Sequence, residues 1–156
     1  MHFDFFGIPI DGTPPQFVEK LLRNGRLDTT QGIQNVVFDV YTIQIYLAEL
    51  FCSSVSLDFT VNTYTSMVYD ASISIDDIGL SNYSRLFDIV VERYGTDFVK
   101  LPGREAIIWY FKEGNIHLFR NDTTTVLSFT DNANDPNNPE NGYADINDEE
   151  DIKLIE

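Results

Sequence analysis

Residues 41–48 read YTIQIYLA, with Tyr41, Ile43, Ile45 and Leu47 alternating against more polar neighbours. The same alternation returns in residues 55–62 (VSLDFTVN) and 67–75 (MVYDASISI). Alternation with a period of two puts the larger apolar side chains on one face of a strand and Ser, Thr and Asp on the other. Three such strands in succession predict an antiparallel meander with one face against a core and one in water.

A helix is predicted on each side of this meander. Residues 13–25 (TPPQFVEKLLRNG) combine an N-cap Thr, prolines at the first helical positions, a capping-box Gln and an apolar stripe, and they close on Gly. Residues 80–95 (LSNYSRLFDIVVERYG) repeat apolar side chains at spacings of three and four. We expect Phe3 to Phe6 to form a short strand ahead of the first helix, joined to it by a turn-rich connector.

Three further strands are expected after the second helix, at residues 106–111, 116–119 and 123–129, because turn signals separate these runs. The chain therefore predicts an α+β fold of two αβββ units, approximately 1–78 and 79–130, in which antiparallel meander sheets pack with two helices. Neither unit is large enough for a core of its own, so 1–130 should form one domain. An ancient duplication and a single fold without internal ancestry explain this order equally well.

The segment 131–156 differs from the rest in composition. It holds nine acidic residues and Lys153 as its single base, and so carries −8 of the net charge of −15. Such a composition predicts an acidic, flexible C-terminal tail. The apolar residues Ile152, Leu154 and Ile155 at its end predict either an edge strand added to the chain's own sheet or a peptide that docks on a partner.

Charge and apolar patterning also exclude several classes of function. A net charge of −15 in 156 residues repels nucleic acid and anionic membrane surfaces. The start of the chain has no basic region and apolar stretch typical of a signal peptide, and Val36 to Leu50 is interrupted by charged and polar residues. The lone Cys52 is expected to act as a small hydrophobe. We expect a cytoplasmic protein, although a secreted chain from which a leader had been removed would look the same.

Few residues suggest catalysis or metal binding. His2 and His117 are far apart, and His117 is expected on a sheet face, so zinc is disfavoured. The pair Asp76-Asp77 precedes a helix, where acids favour the positive end of the dipole. A calcium loop from Asp145 to Glu156 is disfavoured because Glu150 occupies the position that needs Gly. We therefore predict no catalytic residue, no metal and no cofactor.

Partner binding is the remaining interpretation. Trp109, Tyr110 and Phe111 are consecutive in a predicted strand, so at least one large ring must point away from one core. Either a second layer covers that ring, which is the more common arrangement, or the ring is exposed, and an exposed Trp or Tyr on a sheet face indicates a protein interface. The arginines Arg85, Arg93, Arg104 and Arg120 are expected to neutralise neighbouring carboxylates. The predicted partner-binding residues are Trp109, Tyr110, Asp148, Glu149, Glu150, Asp151, Ile152 and Leu154.

Two resemblances bear on the fold. The opening Phe6-Gly7-Ile8-Pro9-Ile10-Asp11-Gly12-Thr13 and the closing Glu92-Arg93-Tyr94-Gly95 of the second helix resemble a group of small uncharacterised α+β proteins of Bacteroides-type gut bacteria. That resemblance implies a fold type and no activity, and the acidic tail departs from the pattern. The tandem αβββ layout is similar to that of beta-lactamase-inhibitor proteins in architecture alone.

We therefore expect a non-catalytic protein-binding or inhibitor module, of the immunity-protein kind, that meets a basic macromolecular partner. One alternative is an acidic nucleic-acid mimic that inhibits a nucleic-acid-binding enzyme, such as a phage-encoded anti-restriction or anti-CRISPR protein. A mimic needs carboxylates in rows on the folded body. A third alternative is a small-ligand binder whose pocket is assembled from residues that carry no functional signal when each is considered alone.

Overall fold

The computed structural model describes residues 1–27, 35–37, 39–47, 53–76 and 81–142. Within these ranges the chain forms two α-helices, ten strands and one short 3-10 helix. In chain order they are β1 Asp4–Phe5, β2 Ile8–Pro9, α1 Pro14–Arg23, β3 Asn35–Val37, β4 Val40–Leu47, β5 Ser53–Val61, β6 Val68–Asp76, α2 Ser81–Tyr94, β7 Phe98–Lys100, β8 Ala106–Tyr110, β9 Gly114–Asn121, β10 Thr124–Asp131 and the 3-10 turn Pro139–Asn141.

Strands β3 to β10 form one eight-stranded sheet in the order β3-β4-β5-β6-β10-β9-β8-β7. Every neighbouring pair is antiparallel, and β6 and β10 meet in the middle with Ile73 opposite Leu127. Each helix is followed by a four-stranded meander, and the two meanders join through this central pair. The predicted α+β class is confirmed.

The predicted three-strand unit is not what the structure shows, because each helix is followed by four strands. β3 and β7 were missed, and each is three residues long, which is too short for an alternating pattern to stand out. The strands of the two units form one continuous sheet. β6 departs from the predicted alternation at its start: Val68 is buried, because the register with β5 shifts between Thr60 and Val61.

Both helices pack on the same face of the sheet, which we call the inner face. Phe59, Phe129 and Trp109 lie in one row across it, as the strand register shows. Phe17 of α1 packs on Phe59 with 5.4 Å between ring centroids, and Phe87 of α2 packs on Trp109 at 6.0 Å. Burying a side chain of this size stabilises the fold by about 1.5–3 kcal/mol.

The opening motif of the chain forms a hairpin that is hydrogen-bonded to the second helix. Phe6 and Gly7 form the tight turn between β1 and β2 and have φ values of 47° and 87°, the left-handed conformation that such hairpin turns require. The Asp4 carboxylate accepts the Gly7 N–H at 2.6 Å. The Tyr94 hydroxyl of α2 accepts the Phe6 N–H at 3.1 Å and donates to Asp4 at 3.1 Å. The hairpin is thereby fastened to the second helix.

The packed body extends past Thr130, where composition placed the start of a flexible tail. Asp131 is the last residue of β10 and is fully buried. Residues 132–142 fold back along the end of the sheet, where the side-chain amide of Asn134 donates to Asp11 at 2.9 Å and to the Val68 carbonyl at 3.1 Å. The described part of the domain therefore reaches Gly142.

Several predictions fall on residues outside the described ranges. They concern Cys52, Asp77, the acidic positions 148–151, and Ile152 and Leu154. In the described part of the chain, neither helix has the length and apolar character needed to cross a bilayer.

Candidate binding face

The face of the sheet opposite the helices is the candidate functional surface, and we call it the outer face. It consists of the side chains that alternate with the core residues along β4 to β10, and most of them are partly exposed. The strand register aligns them in rows across the sheet. Two of these rows are Thr42, Asp58, Ser72, Ser128, His117, Ile108 and Val99; and Val40, Thr60, Asp70, Thr130, Asn115 and Tyr110.

Hydroxyl groups hold the carboxylates in the middle of the outer face. Asp70 accepts hydrogen bonds from Ser128 at 2.9 Å, from Thr130 at 3.0 Å and from Ser72 at 3.1 Å. Burial raises the pKa of Asp70, and the charge of Asp135 adds to the effect, while the three hydroxyl bonds oppose it. The result is a carboxylate that is fixed in position by three neutral donors, two on one oxygen and one on the other.

The half of the face formed by the first meander is acidic. Thr42 donates to the Asp58 carboxylate at 2.7 Å, and Asp76 is exposed at the end of β6. Burial, together with the charges of Asp70, Asp135 and Asp39, raises the pKa of Tyr69 to about 12. Among the outer-face strand positions that the structure describes, three side chains are charged, and all three are carboxylates: Asp58, Asp70 and Asp76. None of these positions holds Lys or Arg.

The half formed by the second meander is more apolar. Tyr110 is 63% exposed and Val99 is 53% exposed. Ile108 lies beside Val99 in the register, and Phe119 and Val126 are partly exposed further along the sheet. The outer face therefore changes from carboxylates and hydroxyls to aliphatic and aromatic side chains from one side of the sheet to the other.

Charge along the chain follows the same division. Residues 1–80 carry a net charge of −7, and residues 81–130 hold six acidic and six basic residues and are neutral. On the described outer face itself, a partner meets Asp58, Asp70 and Asp76 in the first half and uncharged strand positions in the second. Distributed charge of one sign speeds the approach of an opposite charge and selects against like-charged molecules.

Of the two predicted aromatic contact residues, the structure leaves Tyr110 exposed and buries Trp109. Trp109 has no exposed surface, and its indole N–H donates to the Gly95 carbonyl at 3.0 Å. It belongs to the core under α2, because alternation along β8 turns Trp109 inward and Tyr110 outward. Trp109 is therefore removed from the predicted contact surface. Sequence alone could not choose between the two rings.

The histidines differ in their surroundings. His117 lies on the outer face as predicted, 4.6 Å from the Phe119 ring, and burial lowers its pKa, which favours the neutral imidazole. Its Nε2 is buried and has no hydrogen-bond partner among the described residues. The His2 ring, at the start of the chain, contacts the carboxylates of Asp131 at 2.8 Å and Asp11 at 3.3 Å.

Other predicted chemistry can be placed as well. Arg120 lies 3.8 Å from Glu105, as expected for an arginine that neutralises a carboxylate, while the Arg93 guanidinium lies over the Phe6 ring at 5.7 Å. The described ranges bring no three His, Cys, Asp or Glu side chains together in an arrangement that could hold a metal ion. The carboxylates Asp58 and Asp70 were not predicted as site residues. The sequence feature that could have identified them is the alternation in residues 55–62 and 67–75, which placed both carboxylates on the solvent-facing side of the sheet.

Comparison with protein-family models, curated proteins and solved structures gives no match. The outer face itself is therefore the starting point for assigning a function.

Proposed function

We propose that this chain is a non-catalytic protein-binding or inhibitor module and that its outer face contacts a basic macromolecular partner. The observation that carries the proposal is the composition of that face. Its described charged positions are carboxylates, Asp58, Asp70 and Asp76, and the adjoining half exposes Tyr110 and Val99. We propose the cytoplasm as its compartment, since a single Cys gives no internal disulfide framework.

The two halves have different roles in this proposal. The acidic half steers a positively charged partner and sets its orientation, which gives fast and salt-sensitive association. The apolar half supplies the free energy that holds the complex, with Tyr110 as the anchor, since large aromatic side chains account for much of the binding energy at interfaces. Rigid strands keep both halves in a fixed relation, so little ordering entropy is lost on binding.

The groups around the carboxylates support a binding role over a catalytic one. The contacts to Asp70 come from the hydroxyls of Ser72, Ser128 and Thr130, and Asp58 accepts from Thr42. A general acid or base needs a partner that takes part in proton transfer and a site that positions substrate. A carboxylate fixed by neutral hydroxyls is suited instead to presenting a negative charge at a defined point.

The nucleic-acid mimic remains an alternative, and the placement of acids separates it from the first proposal. Mimicry requires rows of exposed carboxylates that stand in for phosphates. The described outer face offers three carboxylates on β5 and β6, one of them fixed among hydroxyls, next to an apolar half. This arrangement favours a protein surface as the partner. The acidic residues 148–151, with Ile152 and Leu154, stay a predicted second contact.

Affinity capture from an extract of the source organism tests the proposal. The immobilised chains are the wild type, Tyr110→Ser, the double variant Asp58→Asn/Asp76→Asn, and Leu22→Ser, a matched control on α1 that is 55% exposed. We expect one basic protein on the wild type and on the control. Tyr110→Ser should weaken its binding about tenfold or more, and the double variant should release it at lower salt.

Three results would count against the proposal. A partner that Leu22→Ser loses and the outer-face variants keep would place the interface on the helical side. A captured partner that is nucleic-acid-binding and is displaced by DNA or RNA would favour the mimic. Retention of no protein by any of the four chains would remove the basis for a protein partner.

A further inference from the structure

A cavity of about 320 Å³ lies beside the opening hairpin. It is on the helix side of the sheet, because one of its walls is the last residue of α2 and another packs on the inner-face Phe129 with 6.3 Å between ring centroids. Small-molecule sites in proteins measure about 300–1,000 Å³, so this cavity can take a compact ligand. The lining residues that matter here are Phe3, Asp4, Tyr94, Phe111 and Glu113.

The three aromatic rings of the lining contact one another. The centroids of Phe3 and Phe111 are 5.4 Å apart, and the Tyr94 ring lies 6.0 Å from the first and 6.1 Å from the second. Phe111 and Tyr94 are partly exposed. A cation is attracted to the face of an aromatic ring when it lies within about 6 Å of the centroid. Because the centroids are this close together, one cation placed against the cluster can satisfy that distance for more than one ring.

Two carboxylates complete the lining. The Asp4 side chain accepts the Gly7 N–H at 2.6 Å and the Tyr94 hydroxyl at 3.1 Å, and both of these donors are neutral. Glu113 is partly exposed in the turn between β8 and β9. The described residues that line this cavity include no Lys or Arg. The lining therefore presents negative charge next to aromatic surface.

Two basic side chains near the cavity contact other groups. The Arg93 guanidinium lies over the Phe6 ring at 5.7 Å. His2 lines the cavity, but its ring nitrogens contact the carboxylates of Asp131 and Asp11. A cavity between α2 and β8, in comparison, has two bases and two acids in its lining. The cavity beside the hairpin is thus suited to a cation, on a chain whose net charge of −15 attracts cations in general.

We propose that this cavity binds a small quaternary ammonium compound. Phe111 and Tyr94 contact the methyl groups around the positive nitrogen, and Asp4 and Glu113 supply the opposite charge. Aromatic faces favour this class of cation over a primary ammonium, because methyl groups spread its charge and make its hydration weak. The site lies on the opposite side of the sheet from the outer face and does not depend on the proposed protein interface.

Titration of the full chain with choline at constant ionic strength, followed by amide shifts in ¹H–¹⁵N correlation spectra, tests the site. We expect saturable shifts that cluster at residues 3–7, 93–95 and 111–114, with a Kd of about 10 mM or tighter, the value that modest ligand efficiency gives for a molecule of this size. Phe111→Leu, which keeps apolar bulk and removes the ring, should weaken binding about fivefold.

Charge variants provide a second and independent measurement. Glu113→Gln should weaken choline binding about threefold. Glu19→Gln on α1, which removes the same charge from an exposed position elsewhere, should leave the affinity unchanged. If Phe111→Leu fails to fold, this pair still decides the proposal. Shifts that do not saturate, or an equal loss in both glutamine variants, would show general attraction to an acidic chain and would overturn the site.

Two further probes separate charge from shape. In 3,3-dimethyl-1-butanol a carbon replaces the positive nitrogen of choline, and protonated ethanolamine keeps the charge without the methyl groups. Both should bind at least about threefold more weakly than choline. Equal binding of the neutral alcohol would overturn the role of the carboxylates and of the cation. Equal binding of ethanolamine would overturn the role of the aromatic rings.

Discussion

The backbone N–H of Phe3 donates a hydrogen bond to the carboxylate of Asp131, with 2.7 Å between the nitrogen and Oδ1. The other oxygen of that carboxylate contacts the His2 ring at 2.8 Å and accepts the Asn134 N–H at 3.1 Å. One buried side chain at the end of β10 therefore joins the start of the chain to the segment after the sheet. Burial raises the pKa of Asp131, and these hydrogen bonds oppose the rise.

Truncation should reveal this junction. A chain that ends at Thr130 loses Asp131 and every contact of residues 132–142, and we expect its unfolding free energy to fall by about 3 kcal/mol or more. A chain that ends at Gly142 keeps all described contacts and should unfold within about 0.5 kcal/mol of the full chain. Urea denaturation followed by circular dichroism compares the three. Equal stability of the chains ending at 130 and 142 would contradict the junction.

Tyr94→Phe should loosen the opening hairpin. The Tyr94 hydroxyl accepts the Phe6 N–H and donates to Asp4, so its removal leaves a partly buried N–H without that acceptor. We expect a loss of about 1–2 kcal/mol in unfolding free energy. Tyr110→Phe is the matched control, because Tyr110 is largely exposed, and it should change stability by less than about 0.5 kcal/mol. A loss of the same size in both variants would mean that the hydroxyl contact to Phe6 is not the cause.

A strand could be predicted from the sequence only where its alternation of apolar and polar residues is long enough to recognise. The alternation in residues 55–62 is long enough to give β5 and to place Asp58 on the wet face. β7, at Phe98–Lys100, offers three residues, and no periodicity can be recognised in so few. The fold class and the two helices could therefore be predicted from the sequence, while the short strands β3 and β7 could not.

The features that could not be predicted depend on contacts between segments that are distant in the sequence. Asp131 looks like one acid among nine in the last 26 residues, and only its position against Phe3 and His2 shows that it is buried. Trp109 and Tyr110 are equivalent as strand residues until the side on which α2 packs is known. Local pattern gives alternation along a strand, but the choice of face is made by the rest of the fold.

Asp70→Asn should change how stability depends on pH. Burial raises the pKa of Asp70 above its ordinary 3.8, so the folded chain binds this proton more tightly than the unfolded chain does. The stabilisation from this proton is complete below pH 3.8 and is lost as pH rises through the raised pKa. The asparagine variant avoids the cost of burying a charge. Its stability relative to wild type should therefore be highest near pH 7 and should fall as the pH approaches about 4.

Unfolding free energies between about pH 4 and pH 7 measure this difference. Asp58→Asn controls for the loss of one negative charge from the same face. Asp131 is common to all three chains, so its own titration cancels from the comparison. A stability of Asp70→Asn relative to wild type that rises as pH falls would show that the hydroxyl bonds outweigh burial, and that Asp70 gains by being charged.

Gly114→Ala should be among the most damaging small substitutions in the chain. Gly114 begins β9, and a methyl group there would overlap the Thr130 carbonyl of the neighbouring strand and lie 2.7 Å from Cβ of Phe3. The Thr130 carbonyl belongs to the backbone and cannot move aside as the end of a flexible side chain can. The added methyl group must therefore either separate β9 from β10 or displace Phe3. We expect a loss of about 3 kcal/mol or more. Gly103→Ala is the matched control. Gly103 has a φ of +68°, and a methyl group there meets nothing within 4 Å. The expected loss in this control is therefore only the backbone strain, about 1–2 kcal/mol. Thermal and urea unfolding of the two variants compare these values, and a loss at Gly114 no larger than at Gly103 would mean that Phe3 does not pack against the start of β9.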